Sequence, residues 1–453
     1  MYRRELTLIP ADGFAKFISR FEKNISSIKE KMKTSKRDVV LIGLSIFVAS
    51  AGNFAYGEVL TWQDCVKEAL GDNPDLISAK EKINQALEEK AITKSTAFPQ
   101  ITTGLSSKKS RTTTKDVSNT YSYNLIGKQL LFDGFKTIYD IKSASLSIKV
   151  AEYEYMELSA VVRFNLREAF VNLLKAQRLV SLTEEIAERR RKNLELVKLR
   201  YEAGREHKGA LLTTQASLAQ AEFEVTQAKR SLVLAQRKLL KELGRESFSP
   251  ISVKGEFDIK VERAIPDFER LVLDVPEFKK AVVCKEMAGF NLKSARADFS
   301  PEVFLSSSIG RTSPGWPPDD EEWLVGVSVS FSLSEGGSRI AKVSKARSQL
   351  KEKEAEKKSV KDSFIFTLQE AWTEFQDAFD KVNVQKKYLE AAKERAKIAS
   401  AQYSTGLISF DDWTIIEDNL ANAQKTYLNA QAEAMIAQAW WIKIKGGTLE
   451  DEI

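Results

Sequence analysis

The chain has 453 residues, 43% of them hydrophobic and 29% charged, which is room for roughly two or three ordinary domains. Most of its formal charge of +6 comes from the first 57 residues, with ten Lys/Arg against five Asp/Glu; the remainder, at +1, is nearly balanced and forces no basic, nucleic-acid-binding surface. Two cysteines (Cys65 and Cys284) and one histidine (His207) exclude a disulfide framework and leave metal or thiol chemistry without a ligand set.

The N-terminus reads as an export signal. Val39 to Val48 is an apolar run preceded by Lys33, Lys36 and Arg37, and followed by Ala49-Ser50-Ala51 and Ala55-Tyr56-Gly57. The spacing predicts cleavage after Ala51 or Gly57. Met32 opens a compact signal, so translation is expected to start there rather than at Met1. A retained anchor is the rival reading, but a bilayer-spanning helix needs about 20 apolar residues. No cysteine follows the small residues to carry a lipid. No other uninterrupted apolar run is long enough to span a membrane, so a mature protein that crosses one must do so as strands.

Past residue 57 the chain repeats itself at an offset of 202 residues. Asn73-Pro74-Asp75-Leu76 recurs as Val275-Pro276-Glu277-Phe278, Asp133-Gly134 as Glu335-Gly336, and Tyr201-Glu202-Ala203-Gly204 as Tyr403-Ser404-Thr405-Gly406. Each half has two strand-like segments. The clearest runs from Trp323 to Leu333, with Trp323, Val325, Val327, Val329 and Phe331 on one face and Gly326, Ser328 and Ser330 on the other. Such alternation fits a membrane strand with a lipid face and a wet face, although a half-exposed soluble sheet alternates in the same way. Its counterpart is 121–131, and the partners are 101–107 and 303–309, each entered after a proline. Lys108–Thr120 and Gly310–Glu322 are expected as loops. Four strands cannot close a barrel, whose smallest forms have about 8, so the membrane reading requires oligomerisation.

Gly134–Leu199 and Gly336–Gln402 follow, each over sixty residues without proline. As helices they would reach about 100 Å. Each ends at the Tyr-x-x-Gly turn, and a second helix returns over Leu211–Leu243 and Asp412–Ile444. Alanines at heptad spacing (Ala221, Ala228, Ala235; Ala423, Ala430, Ala437) allow close helix approach and a left-handed supercoil.

These motifs, in this order, resemble the TolC-like outer-membrane efflux proteins over roughly residues 58–447. The resemblance is carried by Leu60–Leu70 with Asn73-Pro74-Asp75-Leu76, by Ala97-Phe98-Pro99-Gln100, by Gln129–Gly134, and by Gln402–Gly406 with Leu420–Ala423. It implies an α+β membrane protein: a homotrimer with a shared 12-stranded β-barrel that continues into a long α-helical coiled-coil barrel, with two internal repeats per chain. The divisions expected are 1–57 (extension and signal), 58–255 (first repeat), 256–447 (second repeat) and 448–453 (tail). The implied function is the outer-membrane exit duct of a tripartite efflux pump or type I secretion system. Its implied partners are outer-membrane lipid, a periplasmic adaptor and an inner-membrane pump.

The resemblance also implies site residues. The helix-tip turns, with Tyr201, Gly204, Tyr403 and Gly406, would dock the adaptor. A gate aspartate six residues past the second tip glycine falls on Asp412; a second acidic ring three further falls on Ile415 and is lost, with Asp411 and Glu417 nearby. Residues at successive helix positions point about 100° apart, so Asp411 and Asp412 do not both face one lumen. The position of a gate arginine is Ile408. The acid that would pair with Tyr403 falls on Ala210, so the lock is not legible. Asp411-Asp412 also reads as a helix start favoured by the dipole. His207 has no partners for catalysis or metal binding and is expected to face solvent or the adaptor. No nucleophile–base pair, phosphate loop or metal cluster supports an enzyme, and no cofactor is implied. The alternative is a periplasmic adaptor or a coiled-coil scaffold without a pore.

Overall fold

The computed structural model describes residues 58–112, 115–259 and 264–452. Met32, the signal run and both candidate cleavage sites lie outside the described residues. Glu58–Ile453 forms one compact unit, so the two halves are not separate bodies.

The first half opens with strand β1 (Glu58–Leu60) and helix α1 (Trp62–Asp72). Thr61 and Asp64 start that helix as a capping box: Thr61 N–H donates to Asp64 Oδ2 at 2.9 Å and Asp64 N–H to Thr61 Oγ1 at 3.3 Å. Asn73 stops it and starts α2 (Pro74–Ser95), its side chain accepting from the N–H groups of Asp75 and Leu76 while Pro74 takes the first helical position. Strands β2 (Gln100–Thr112) and β3 (Lys115–Phe132) follow, then α3 (Lys136–Glu202), α4 (Lys208–Leu243) and the short strand β4 (Ile251–Val253). β4 pairs in parallel with β1.

The second half contains α5 (Phe268–Leu271), α6 (Pro276–Ala297), β5 (Glu302–Ser313), β6 (Asp320–Ser330), α7 (Ser338–Thr405) and α8 (Phe410–Ile444). A 3₁₀ turn, Glu450–Glu452, ends the described chain. α2 and α6 start and end 202 residues apart. α1 has only the four-residue α5 opposite it: Pro266 lacks an N–H and drives its predecessor extended, so no helix forms until Asp267 caps one.

The long helices α3 and α7 have 67 and 68 residues, or about 100 Å at 1.5 Å each. Two apolar clusters clamp them midway. One joins Leu76, Leu166, Phe170 and Leu239 with β1, β4 and Leu449. The other joins Phe278, Leu368, Trp372 and Trp441, each 202 residues on from its counterpart. Helices this long survive because of such burial, not because of propensity. In the heptad alanine rows Ala221, Ala228 and Ala430 are buried, while Ala235, Ala423 and Ala437 pack at cluster edges.

The four long strands form one antiparallel sheet in the order β2-β3-β5-β6. Its register lines up Thr103, Leu125, Ile309 and Trp323 on one face, and Ile101, Gly127, Ser307 and Val325 beside them. The other face carries rows such as Ser106, Ser122, Thr312 and Asp320. The strands are longer than the sequence suggests. Lys108–Thr120 is mostly paired strand, because Ser and Thr satisfy a ladder as readily as a loop. Only residues 314–319 separate β5 from β6, where three prolines interrupt pairing. β6 ends at Ser330, so Phe331 falls just beyond the strand, exposed. Among the described residues no helix is long and apolar enough to cross a membrane.

Candidate functional site: the helix tips

The far ends of the two hairpins meet in a small core of Val197, Ala210, Ala399, Tyr403, Phe410 and Trp413. Gly204 and Gly406 end α3 and α7 with φ of +69° and +82°, a backbone that side chains resist, and so permit the reversal. Tyr403 is 1% exposed, and its ring stacks on Trp413 with centroids 4.2 Å apart and planes at 9°. Tyr403 therefore packs the tip rather than presenting a docking surface. Tyr201, beside exposed Leu199, and exposed Leu407 do reach solvent.

The structure supplies the acid that the expected spacing missed. Tyr403 Oη donates to Glu206 Oε2 at 2.8 Å. Ala210, at the expected position of that acid, is fully buried in the same cluster as Tyr403 and Trp413. Arg200 completes the group: its guanidinium lies 4.6 Å from the Tyr403 ring centroid and its Nη1 donates to Tyr403 O at 2.7 Å. Burial, and then the bond to Glu206, push the Tyr403 phenol above its ordinary value, so it stays a donor. The signal for this lay in Arg200 and Glu206 flanking the Tyr201-x-x-Gly204 turn, with the acid two residues past the glycine rather than six. Ile408, at the expected arginine position, packs against the same core.

His207 side chain is exposed, as expected, but it is also the N-cap of α4, its Nδ1 accepting from Ala210 N–H at 3.1 Å. Ser409 caps α8: its Oγ accepts from Asp412 N–H at 3.1 Å and donates to Asp412 Oδ2 at 2.7 Å. Asp411 and Asp412 are both exposed in the first turn, and exposed Ile415 continues that face of α8. Glu417 corrects an expectation. It is 4% exposed, with its Oε2 3.3 Å from Arg189 Nε and accepting from Asn193 Nδ2 at 3.4 Å, so it is turned into the protomer and lines no opening. Among the described residues no group of His, Cys, Asp or Glu could hold a metal.

The tip therefore offers a bonded seam between the hairpins and an exposed acidic turn beside it. The family profile described as "Outer membrane efflux protein" matches residues 65–245 and 273–446. The outer membrane efflux protein BepC of Brucella suis biovar 1 (strain 1330) is 20% identical over 413 residues, covering 88% of this chain and 89% of that protein. VceC, an outer membrane protein of Vibrio cholerae, has a similar fold (TM-score 0.75, 19% identity, 85% of this chain and 96% of that one). So has the open state of the Neisseria gonorrhoeae MtrE outer membrane channel (TM-score 0.76, 18% identity, 89% and 94%).

Proposed function

The chain belongs to the outer membrane efflux protein family, and we propose that three copies of it build one duct. It is an outer-membrane exit duct, with its helical part in the periplasm. The observation that carries the trimer is the four-stranded sheet, whose β2 and β6 each keep one edge unpaired among the described residues. Unpaired backbone is costly in hydrocarbon, and closure removes it. Three sheets edge to edge give twelve strands, above the smallest size that closes. Trp323, Val325, Val327 and Val329, with Phe331 at the strand end, then face lipid, and the serine rows face water.

The hairpins of three protomers form the coiled-coil tunnel, each chain contributing two repeats, 58–255 and 256–447. Tyr403, Glu206 and Arg200 hold its tip closed. Asp412, repeated around the threefold axis, forms an acidic constriction that favours cations and repels anions; Asp411 lies beside it. Tyr201 and the turns at Gly204 and Gly406 meet a periplasmic adaptor, which couples the duct to an inner-membrane pump. Nothing in this scheme requires catalysis or a cofactor.

Fractionation with detergent extraction tests this reading. A heat-modifiable trimer in outer-membrane fractions, restoring drug resistance or secretion to a strain lacking its duct, is the expected result. A monomer in the soluble periplasm would mean a scaffold without a pore.

A further inference from the structure

About 15 Å along α3 from Arg200, toward the middle of the helix, a second polar layer joins the hairpins. Arg190, whose side chain is 9% exposed, donates through Nη2 to Asp418 Oδ1. Its neighbour Arg189 has Nε 3.3 Å from Glu417 Oε2 and donates through Nη2 to Gln424 Oε1 at 2.9 Å. Asn193 adds the bond to Glu417 at 3.4 Å. On the other flank Lys425 Nζ meets Glu224 Oε2 of α4 at 2.6 Å. α8 is thus tied by charge to both helices of the first hairpin, to α3 about 8 Å and to α4 about 20 Å from Asp412 along its own axis.

We propose that Arg189 and Arg190, through Glu417 and Asp418, are positioning residues that key the rotation of α8 and so fix where the Asp412 carboxylate points. This rests on the gate reading above and adds a layer distinct from the tip seam. The physical reason is the different burial of the partners. The Glu417 and Arg190 side chains are 5% and 9% exposed, against 24% for Arg189 and 56% for Asp418, and a buried charge that loses its partner is strongly destabilised. α8 therefore cannot turn about its axis without exposing an acid and stranding a guanidinium. Charge-assisted bonds are also directional, which an apolar contact between helices is not.

Single-channel recording on purified trimers, with hexamminecobalt(III) as blocker, tests this. Glu417→Gln, which removes the charge beside Arg189, and Asp418→Asn, which weakens the bond from Arg190, are expected to weaken block and raise the open fraction about tenfold. The swap Arg190→Asp with Asp418→Arg is expected to restore both. Arg190→Lys, which keeps charge but loses reach, gives an intermediate value in a protein that still folds. Singles with wild-type block and open fraction, beside an Asp412→Ala trimer with altered block, would overturn the clamp and leave the gate standing. If Asp412→Ala has no effect either, the gate reading itself fails. Singles that alter the channel with no rescue by the swap would also overturn the clamp, since the effect would not belong to the pair.

Discussion

Tyr403 Oη donates to Glu206 Oε2 across 2.8 Å and so joins the end of the second hairpin's long helix to the turn of the first, 197 residues away in sequence. The bond lies against a nearly parallel Tyr403–Trp413 stack and under the Arg200 guanidinium, so one side chain engages both hairpins.

Cutting that bond should loosen the tip without unfolding the protein. Tyr403→Phe keeps the stack and removes only the hydroxyl, leaving Glu206 short of a donor at a cost of about 1 kcal/mol. The expected result is a higher single-channel conductance with trimer stability nearly unchanged. Glu206→Gln should act in the same direction. Tyr403→Ala should be worse than either, because it also empties a packed site. Wild-type conductance in both conservative variants would remove this bond from the closure.

Asp412→Ala is expected to reduce cation preference and weaken block by multivalent cations. It also removes the carboxylate that accepts from the Ser409 hydroxyl, so a small loss at the start of α8, about 0.5–1 kcal/mol, accompanies it. Reversal potentials in a salt gradient give the preference directly. If Asp411→Ala changes selectivity and Asp412→Ala does not, the lumen-facing acid is Asp411.

Val327→Cys and Ser328→Cys, in a background with Cys65→Ala and Cys284→Ala, should label oppositely with a water-soluble maleimide. Val327 shares its face with Leu305, and Ser328 sits opposite Phe304 on the other. In outer-membrane vesicles residue 328 should react and residue 327 should not. Equal reaction at both would contradict a lipid face.

Acid should detach the β1 edge before it disturbs the hairpins. The hydrogen bonds from Arg245, at 2.6 and 3.1 Å, hold the Glu58 carboxyl below its ordinary 4.5. A carboxyl lowered in the folded state stabilises it above the unfolded value and loses that contribution as pH falls through the folded one. Amide protection at 58–60, corrected for the intrinsic exchange rate, should therefore fall below about pH 4.5. Arg245→Gln should abolish that step; a protection factor that is flat with pH would refute the link.

Leu449→Ala should cost about 3 kcal/mol. Leu449 is fully buried in the cluster around Leu166 and Phe170, and the residues after it are bonded in place. Trp62 Nε1 donates to Glu452 Oε2 at 2.9 Å and Tyr155 Oη to Glu450 Oε1 at 2.5 Å. The residues read as a tail from 448 onward are thus a strap across α1 and α3. A thermal midpoint unchanged by Leu449→Ala would mean the strap adds nothing to stability.

The sequence by itself determined what depends on local period and on breakers. Alternation at Trp323–Val329 makes a two-faced strand, proline-free runs past Gly134 and Gly336 make the long helices, and the tip glycines allow reversal, because each follows from backbone sterics within a few residues. Tertiary structure decided which side chains meet. Glu206 and not residue 210 reaches Tyr403, Glu417 turns inward to Arg189, and residues 449–452 return to α1 and α3. Those pairs lie 197 to 390 residues apart, and no local pattern encodes a distance between helices that touch only after both have folded.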